Sequence, residues 1–282
     1  MSDILDTILR RKAWELGVLR DALRGNPRVA PNADWFCGPA ALERARRLLK
    51  HGGSPPTGRD FAEALAQDDR LTVVAEIKRR SPSAGRIAAW EEPEPLATAY
   101  SKGGADAVSC LTDWEFFGGR PRFLPAVRAV FEGPVLRKDF VTDVIDLAVA
   151  RALDADAVLL IVAALGPRTA ELQREARAFG LQTLIEVHDT RELDIAMAAG
   201  AAVVGVNNRD LRTFQVDLST TERLAEQLPS PTLLVGESGI KTPGDAQRMR
   251  RAGCDAVLVG ESLARKGGDG IESLQVPGLR NR

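Results

Sequence analysis

The chain has 282 residues, of which 44% are hydrophobic and 27% charged, and its formal net charge is −1. That length fits a single α/β barrel, and the balance is that of a soluble globular protein. A near-neutral charge leaves no basic field for nucleic acid and no polybasic patch for a membrane surface.

Residues 3–24 carry Ile4, Leu5, Ile8, Leu9, Leu16, Leu19 and Leu23 at helical spacing. A Pro/Asn/Gly-containing segment over 25–39 separates this helix from a second one at about 39–50. The Gly and Pro content of HGGSPPTGRD predicts a loop over 51–60. Residues 1–60 are therefore expected to form an N-terminal helical extension, followed by a main domain over 61–270 and a C-terminal tail over 271–282.

Beyond residue 60 the chain alternates. Apolar runs occur at VVAEIK (73–78), AVSCLT (107–112), VLRKDF (135–140), AVLLIV (157–162), TLIEV (183–187), VVGVN (203–207), LLVGES (233–238) and AVLVG (256–260). Amphipathic stretches such as RTAELQREARAFG lie between them. Eight strands, each separated from the next by room for a helix, predict a parallel sheet closed into an α/β fold, the (β/α)8 TIM barrel. An internal echo supports closure. GADAV, DADAV, GAAVV and GCDAV begin at 104, 154, 200 and 253, just before every second strand. Each demands a helix end, a tight turn and a strand entry.

Cys37, Cys110 and Cys254 lie far apart and form no CxxC pair, which argues against disulfides and structural zinc and for a reducing cytoplasm. Cys110 and Cys254 read as core residues. The N-terminus shows no signal-peptide pattern, and the longest apolar run, VLLIVAAL, is far short of the ~20 residues that span a bilayer. There is no Walker A motif, no GxGxxG after a strand and no HExxH among the two histidines, so no metal is expected. His188 reads as support for the rim of the barrel.

In such a barrel the chemistry sits at the C-terminal strand ends. Those ends carry Glu76, Lys78 and Ser81, then Lys138 and Phe140, Glu186, Asn207 and Arg209, Glu237 and Ser238, and Gly260 and Glu261. Packing alone gives no reason for ionisable groups there, because an unpaired buried charge is costly. Along the first strand, one of Glu76 and Lys78 is expected to face the lumen and the other the loop or helix layer, with both reaching the mouth. The segments VGESGI and VGESLA suggest a phosphate site from the backbone of Ser238, Gly239, Gly260 and Glu261. GESG is one residue short of a nucleophile elbow, so Ser238 reads as a phosphate or capping donor. Phe116 and Phe117 are candidates for an apolar wall.

Taken together, AEIKRRSPSAG, CLTDWEFFGG, VLRKDF, ADAVLLIV, LIEVHD, GVNNRDL and VGESGI resemble the indole-3-glycerol phosphate synthase family, over roughly 3–265. The resemblance implies a barrel with extra N-terminal helices and a phosphorylated small-molecule substrate, 1-(2-carboxyphenylamino)-1-deoxyribulose 5-phosphate. Ring closure with loss of CO2 and water would yield indole-3-glycerol phosphate. It implies no metal or organic cofactor. The near-neutral charge predicts no nucleic-acid or membrane partner, and the sequence leaves the oligomeric state open, with a monomer or a weak dimer expected. By resemblance, Lys138 is the general acid and Glu186 the base of dehydration. Lys78 holds the substrate or acts as a second acid, Glu76 orients it or takes a proton, Asn207 binds a ribulose hydroxyl, and Glu237 holds the lysines or the substrate. Ser81, Phe140 and Leu159 would contact the organic part, and Arg209, Ser238, Gly239, Gly260 and Glu261 the phosphate. The sequence departs from the family pattern at Ala84, Arg120 and Asp154, and after VLRKDF. A related phosphate-binding barrel with another sugar phosphate, or a catalytically silent barrel, remain the competing readings.

Overall fold

The computed structural model describes residues 4–26, 35–53 and 58–278. Parts of the segment 25–39, of the loop 51–60 and of the tail 271–282 lie outside the described residues. Eight parallel strands close on themselves: β1 (Thr72–Ile77), β2 (Ala107–Leu111), β3 (Val135–Lys138), β4 (Ala157–Ile161), β5 (Gln182–Val187), β6 (Val203–Asn207), β7 (Leu233–Glu237) and β8 (Ala256–Val259). Each pairs with its neighbours in order, and β8 returns to β1 with Val74 opposite Leu258. All eight expected strands are present, and each is separated from the next by helical segments. A two-residue ladder, Arg80–Ser81 against Gly85–Arg86, forms a small hairpin directly after β1.

The echoed pentapeptides have a local physical cause. Gly104, Asp154, Gly200 and Gly253 take φ values of 77°, 63°, 76° and 97°, the left-handed conformation that ends a helix. Asp154 is the one non-glycine among them, and its carboxylate meets Arg44 at 3.0 Å. The aspartate two residues on then closes the foot of the preceding strand. Asp106, Asp156 and Asp255 each accept a backbone N–H, from Val73, Val135 and Leu234, at 2.8 Å. These donors sit at strand entries, where an unpaired buried N–H is costly. In the third copy Ala202 replaces the aspartate, and its backbone carbonyl accepts the N–H of Leu233 at 2.9 Å.

The lower lumen is apolar. Val74, Ala107, Leu136, Ala157, Leu184, Val203, Val235 and Ala256 pack there with Phe61 and Leu65 of the short helix Phe61–Leu65. Cys110 and Cys254 are fully buried between strands and helices, as expected. Ile271 and Leu274 are buried too, and the Gly278 N–H bonds to Asp69 at 2.9 Å. No helix among the described residues is long and apolar enough to cross a membrane.

Among the described residues, α1 (Ile4–Leu23) and α2 (Pro39–His51) precede the short helix Phe61–Leu65 and the barrel. The helix Val144–Ala152 receives both α1 and α2. Within the buried face of α1 lies a cation, Lys12. Its ammonium stands 2.9 Å from Asp139, 3.1 Å from Asp113 and 3.0 Å from Glu15. Burial works against that charge, but the surrounding carboxylates outweigh burial and hold the ammonium well above the ordinary lysine range. Arg137 shares Asp139 at 2.8 Å and bonds the Thr112 hydroxyl at 3.0 Å. Two cations and their carboxylates thereby pin α1 to the back of β3.

Candidate active site

Above the apolar plug the lumen turns ionic. Glu76, Lys138, Glu186 and Glu237 arrive from β1, β3, β5 and β7, the alternate strands that share one layer of such a barrel. All three carboxylates are at most 3% exposed. Two glycines on the intervening strands make this possible. A Cβ on Gly205 of β6 would stand 2.1 Å from Glu237 Oε1, and one on Gly260, just past β8, 2.1 Å from Glu76 Oε2. The large charged side chains of odd strands therefore fill space that even strands leave empty.

Glu76 and Lys78 do not divide between lumen and outer layer, contrary to the expectation above. Residues two apart in a strand share a face, and both side chains line the same cavity. Lys78 Nζ meets Glu76 Oε2 at 2.5 Å. Burial would raise the Glu76 carboxyl, but the Lys78 and Lys138 charges outweigh it and hold the group below its usual value.

Lys138 bonds Glu237, and its Nζ stands 3.8 Å from Glu186 Oε2. Burial pulls this ammonium down, whereas Glu237, Glu186 and Glu76 push it up, and the carboxylates prevail. Glu237 is pushed up to about 7, chiefly by burial, with the charges of Glu186 and Glu76 adding to it against Lys138. Glu186 Oε1 accepts a hydrogen bond from Asn207 Nδ2 at 3.2 Å and faces His188 Nε2 at 3.5 Å.

All fourteen residues singled out in the sequence line one cavity: Glu76, Lys78, Ser81, Lys138, Phe140, Leu159, Glu186, Asn207, Arg209, Glu237, Ser238, Gly239, Gly260 and Glu261. Ser238 and Gly239 both have positive φ, 64° and 84°, which bends the backbone after β7 around one side of the cavity. Phe117 also lines it, with its ring 6.0 Å from that of Phe140. Phe116 instead faces a separate surface cleft. Sequence reasoning missed several lining groups. Ile4, Leu5 and Ile8 come from α1, and Leu211, Phe214 and Lys241 from loops. Ser262, next after Glu261, also lines the cavity, and its hydroxyl is buried at the wall without a hydrogen-bond partner among the described residues. The apolar stripe of α1 was visible as a packing face, but nothing local says that its first turn roofs a cavity.

A model of the indole-3-glycerol phosphate synthase family matches residues 41–272. The chain belongs to the indole-3-glycerol phosphate synthase family. A synthase of that name from Streptomyces coelicolor, its second, is 50% identical over 231 residues, covering 82% of this chain and 89% of the relative. The synthase of Magnetococcus marinus is 41% identical over 284 residues, 98% of each chain. A solved structure titled "Native KDPGal structure" aligns with a TM-score of 0.51 at 19% identity, covering 72% of this chain and 89% of the other, a likeness of fold alone. Membership in the synthase family and a cavity that gathers ammonium, carboxylate and amide groups thus coincide in one chain.

Proposed function

We infer that this chain catalyses the family's reaction: closure of 1-(2-carboxyphenylamino)-1-deoxyribulose 5-phosphate to indole-3-glycerol phosphate, with loss of CO2 and water, in tryptophan biosynthesis. The observation that carries this reading is Lys138 and Glu186 facing each other at 3.8 Å inside one cavity. Attack of the aromatic ring on the ketone builds negative charge on its oxygen, and a positioned ammonium supplies the proton. An ammonium held above its ordinary pKa arrives protonated, and a nascent alkoxide is basic enough to take the proton. Dehydration and aromatisation then require a base, the role given to Glu186.

Lys78, paired with Glu76 on the opposite side of the layer, binds the substrate's carboxylate or acts as the second acid when hydroxide leaves. Asn207 fixes a ribulose hydroxyl and Glu186 together. Glu237 holds Lys138. Phe140, Leu159 and Phe117 offer the apolar surface that an anthranilate ring requires, with Ser81 at its edge. The phosphate fits the turn of Ser238 and Gly239 with Gly260, Glu261 and Arg209, after the last two strands, a common phosphate position in barrels. The helices before residue 61 belong to the same reading as a cover, since α1 contributes Ile4, Leu5 and Ile8 to the cavity wall. The same reading has the enzyme work in the cytoplasm, as a monomer or a weak dimer.

The test is direct. Purified protein is incubated with the carboxyphenylamino-deoxyribulose phosphate while indole fluorescence is followed. Appearance of the product supports the reading, and its absence from well-folded protein sinks it.

A further inference from the structure

His188 lies just beyond β5, outside the cavity lining, with 16% of its side chain exposed. Its two ring nitrogens face two carboxylates. Nδ1 is 2.9 Å from Glu192 Oε2, and the same oxygen accepts the His188 backbone N–H at 2.8 Å. Nε2 is buried, has no hydrogen-bond partner, and stands 3.5 Å from Glu186 Oε1. Asn207 Nδ2 donates to that same Oε1 at 3.2 Å. Both supporting groups therefore engage one oxygen of Glu186. The other, Oε2, is left towards Lys138.

We propose that His188, held by Glu192, is a positioning residue for Glu186: its imidazolium draws Oε1 sideways, so that Oε2 is the oxygen presented to the substrate. The inference rests on the reading of Glu186 as the base. In the resting site Nδ1 pairs with Glu192 at 2.9 Å, and Nε2 faces Glu186 Oε1 at 3.5 Å as a charge contact rather than a hydrogen bond. No bond is made or broken in this role, because His188 holds charge and direction while the proton from substrate goes to Oε2.

The groups facing the imidazole come from several elements. They are Glu186 from β5, Glu192 from the helix Thr190–Ala198, Glu237 from β7 and Asp210 from the loop after β6. Burial alone would lower the imidazole's pKa, but the bond to Glu192 and the charges of Glu186, Glu192 and Glu237 outweigh burial and raise it. A raised histidine pKa means that the imidazolium is present at low pH and is lost as pH rises through that value. Its hold on Glu186 fades in the same direction.

The experiment uses the full chain, which contains two histidines, His51 and His188. Nitrogen-labelled imidazole signals, assigned with His51→Gln, give the titration of His188, and kcat is measured over the same pH range. The expected wild-type result is a basic limb in kcat whose midpoint follows the His188 titration. His188→Ala lowers kcat about 100-fold, the scale of a misplaced catalytic group, with little change in KM. His188→Gln, whose amide donates without titrating, recovers most of kcat and removes that limb. Glu186→Gln shifts the His188 titration downwards. If His188→Ala keeps wild-type kcat, or if His188→Gln fails to rescue while folding normally, His188 is a capping residue only and the inference is overturned. If Glu186→Gln itself keeps kcat, the base assignment fails and takes the inference with it. An inactive Glu186→Gln beside unaffected His188 variants overturns the inference alone.

Discussion

Gly260 after β8 and Glu76 of β1 fit together as gap and plug. The place where a Cβ at 260 would lie is 2.1 Å from the Glu76 carboxylate. Glu76 in turn carries Lys78. Gly260→Ala is expected to push the carboxylate off Lys78 and lower kcat/KM roughly 100-fold, with the circular dichroism spectrum unchanged. The shorter side chain of the double variant Gly260→Ala/Glu76→Asp restores part of that loss, which a double-mutant cycle measures as coupling. Additive effects would show that the two positions act independently.

Lys138 is surrounded by Glu237, Glu186 and Glu76, and its ammonium is accordingly held protonated. Lys138→Ala should reduce kcat by about 100- to 10,000-fold while substrate binding weakens only modestly. Lys138→Arg should not recover turnover, because a guanidinium keeps its proton. Single-turnover kinetics with the fluorescent product decides this. Retained kcat in Lys138→Ala would mean that another group is the acid.

Glu237 is a buried carboxyl pushed up to about 7. Its folded pKa lies above the ordinary carboxylate value, so the folded chain binds an extra proton between the two. The stability this contributes is present at low pH and is lost as pH rises through about 7. Glu237→Gln removes the titration. The variant's Tm relative to wild type should therefore be more favourable at pH ~8.5 than at ~5.5. Thermal melts at both values check it, and an equal difference at the two would refute the shift.

Lys12 is the cation on which Asp139, Asp113 and Glu15 converge. Lys12→Met keeps the volume but strands carboxylates in a buried place, at a cost of ~3–5 kcal/mol in unfolding free energy. The same change should raise KM more than it lowers kcat, since α1 also supplies Ile4, Leu5 and Ile8 to the cavity. Urea unfolding and steady-state kinetics report the two effects separately. Unchanged stability would mean that α1 is held by its apolar face alone.

The order of strands and helices was legible because each is a local pattern. Runs such as AVLLIV and LLVGES announce strands, and the GADAV-type echoes announce left-handed helix ends, now visible at Gly104, Asp154, Gly200 and Gly253. The strand-end rule then led to the polar groups of the rim, because a barrel exposes its chemistry at one end. The error over Glu76 and Lys78 was one of applying the strand period, and the sequence held the right answer.

The sequence by itself determined which residues form strands, which end them, and which charged groups stand at the same end of a barrel, since these follow from backbone preferences and from a two-residue alternation. The tertiary structure alone decided which charges touch. That Lys138 pairs with Glu237 across 99 positions, that Lys12 reaches the back of β3, and that Gly205 and Gly260 leave room for carboxylates depend on strand register and on closure of β8 against β1. Electrostatic energy depends on distance and burial, and neither is written in the order of residues along a chain.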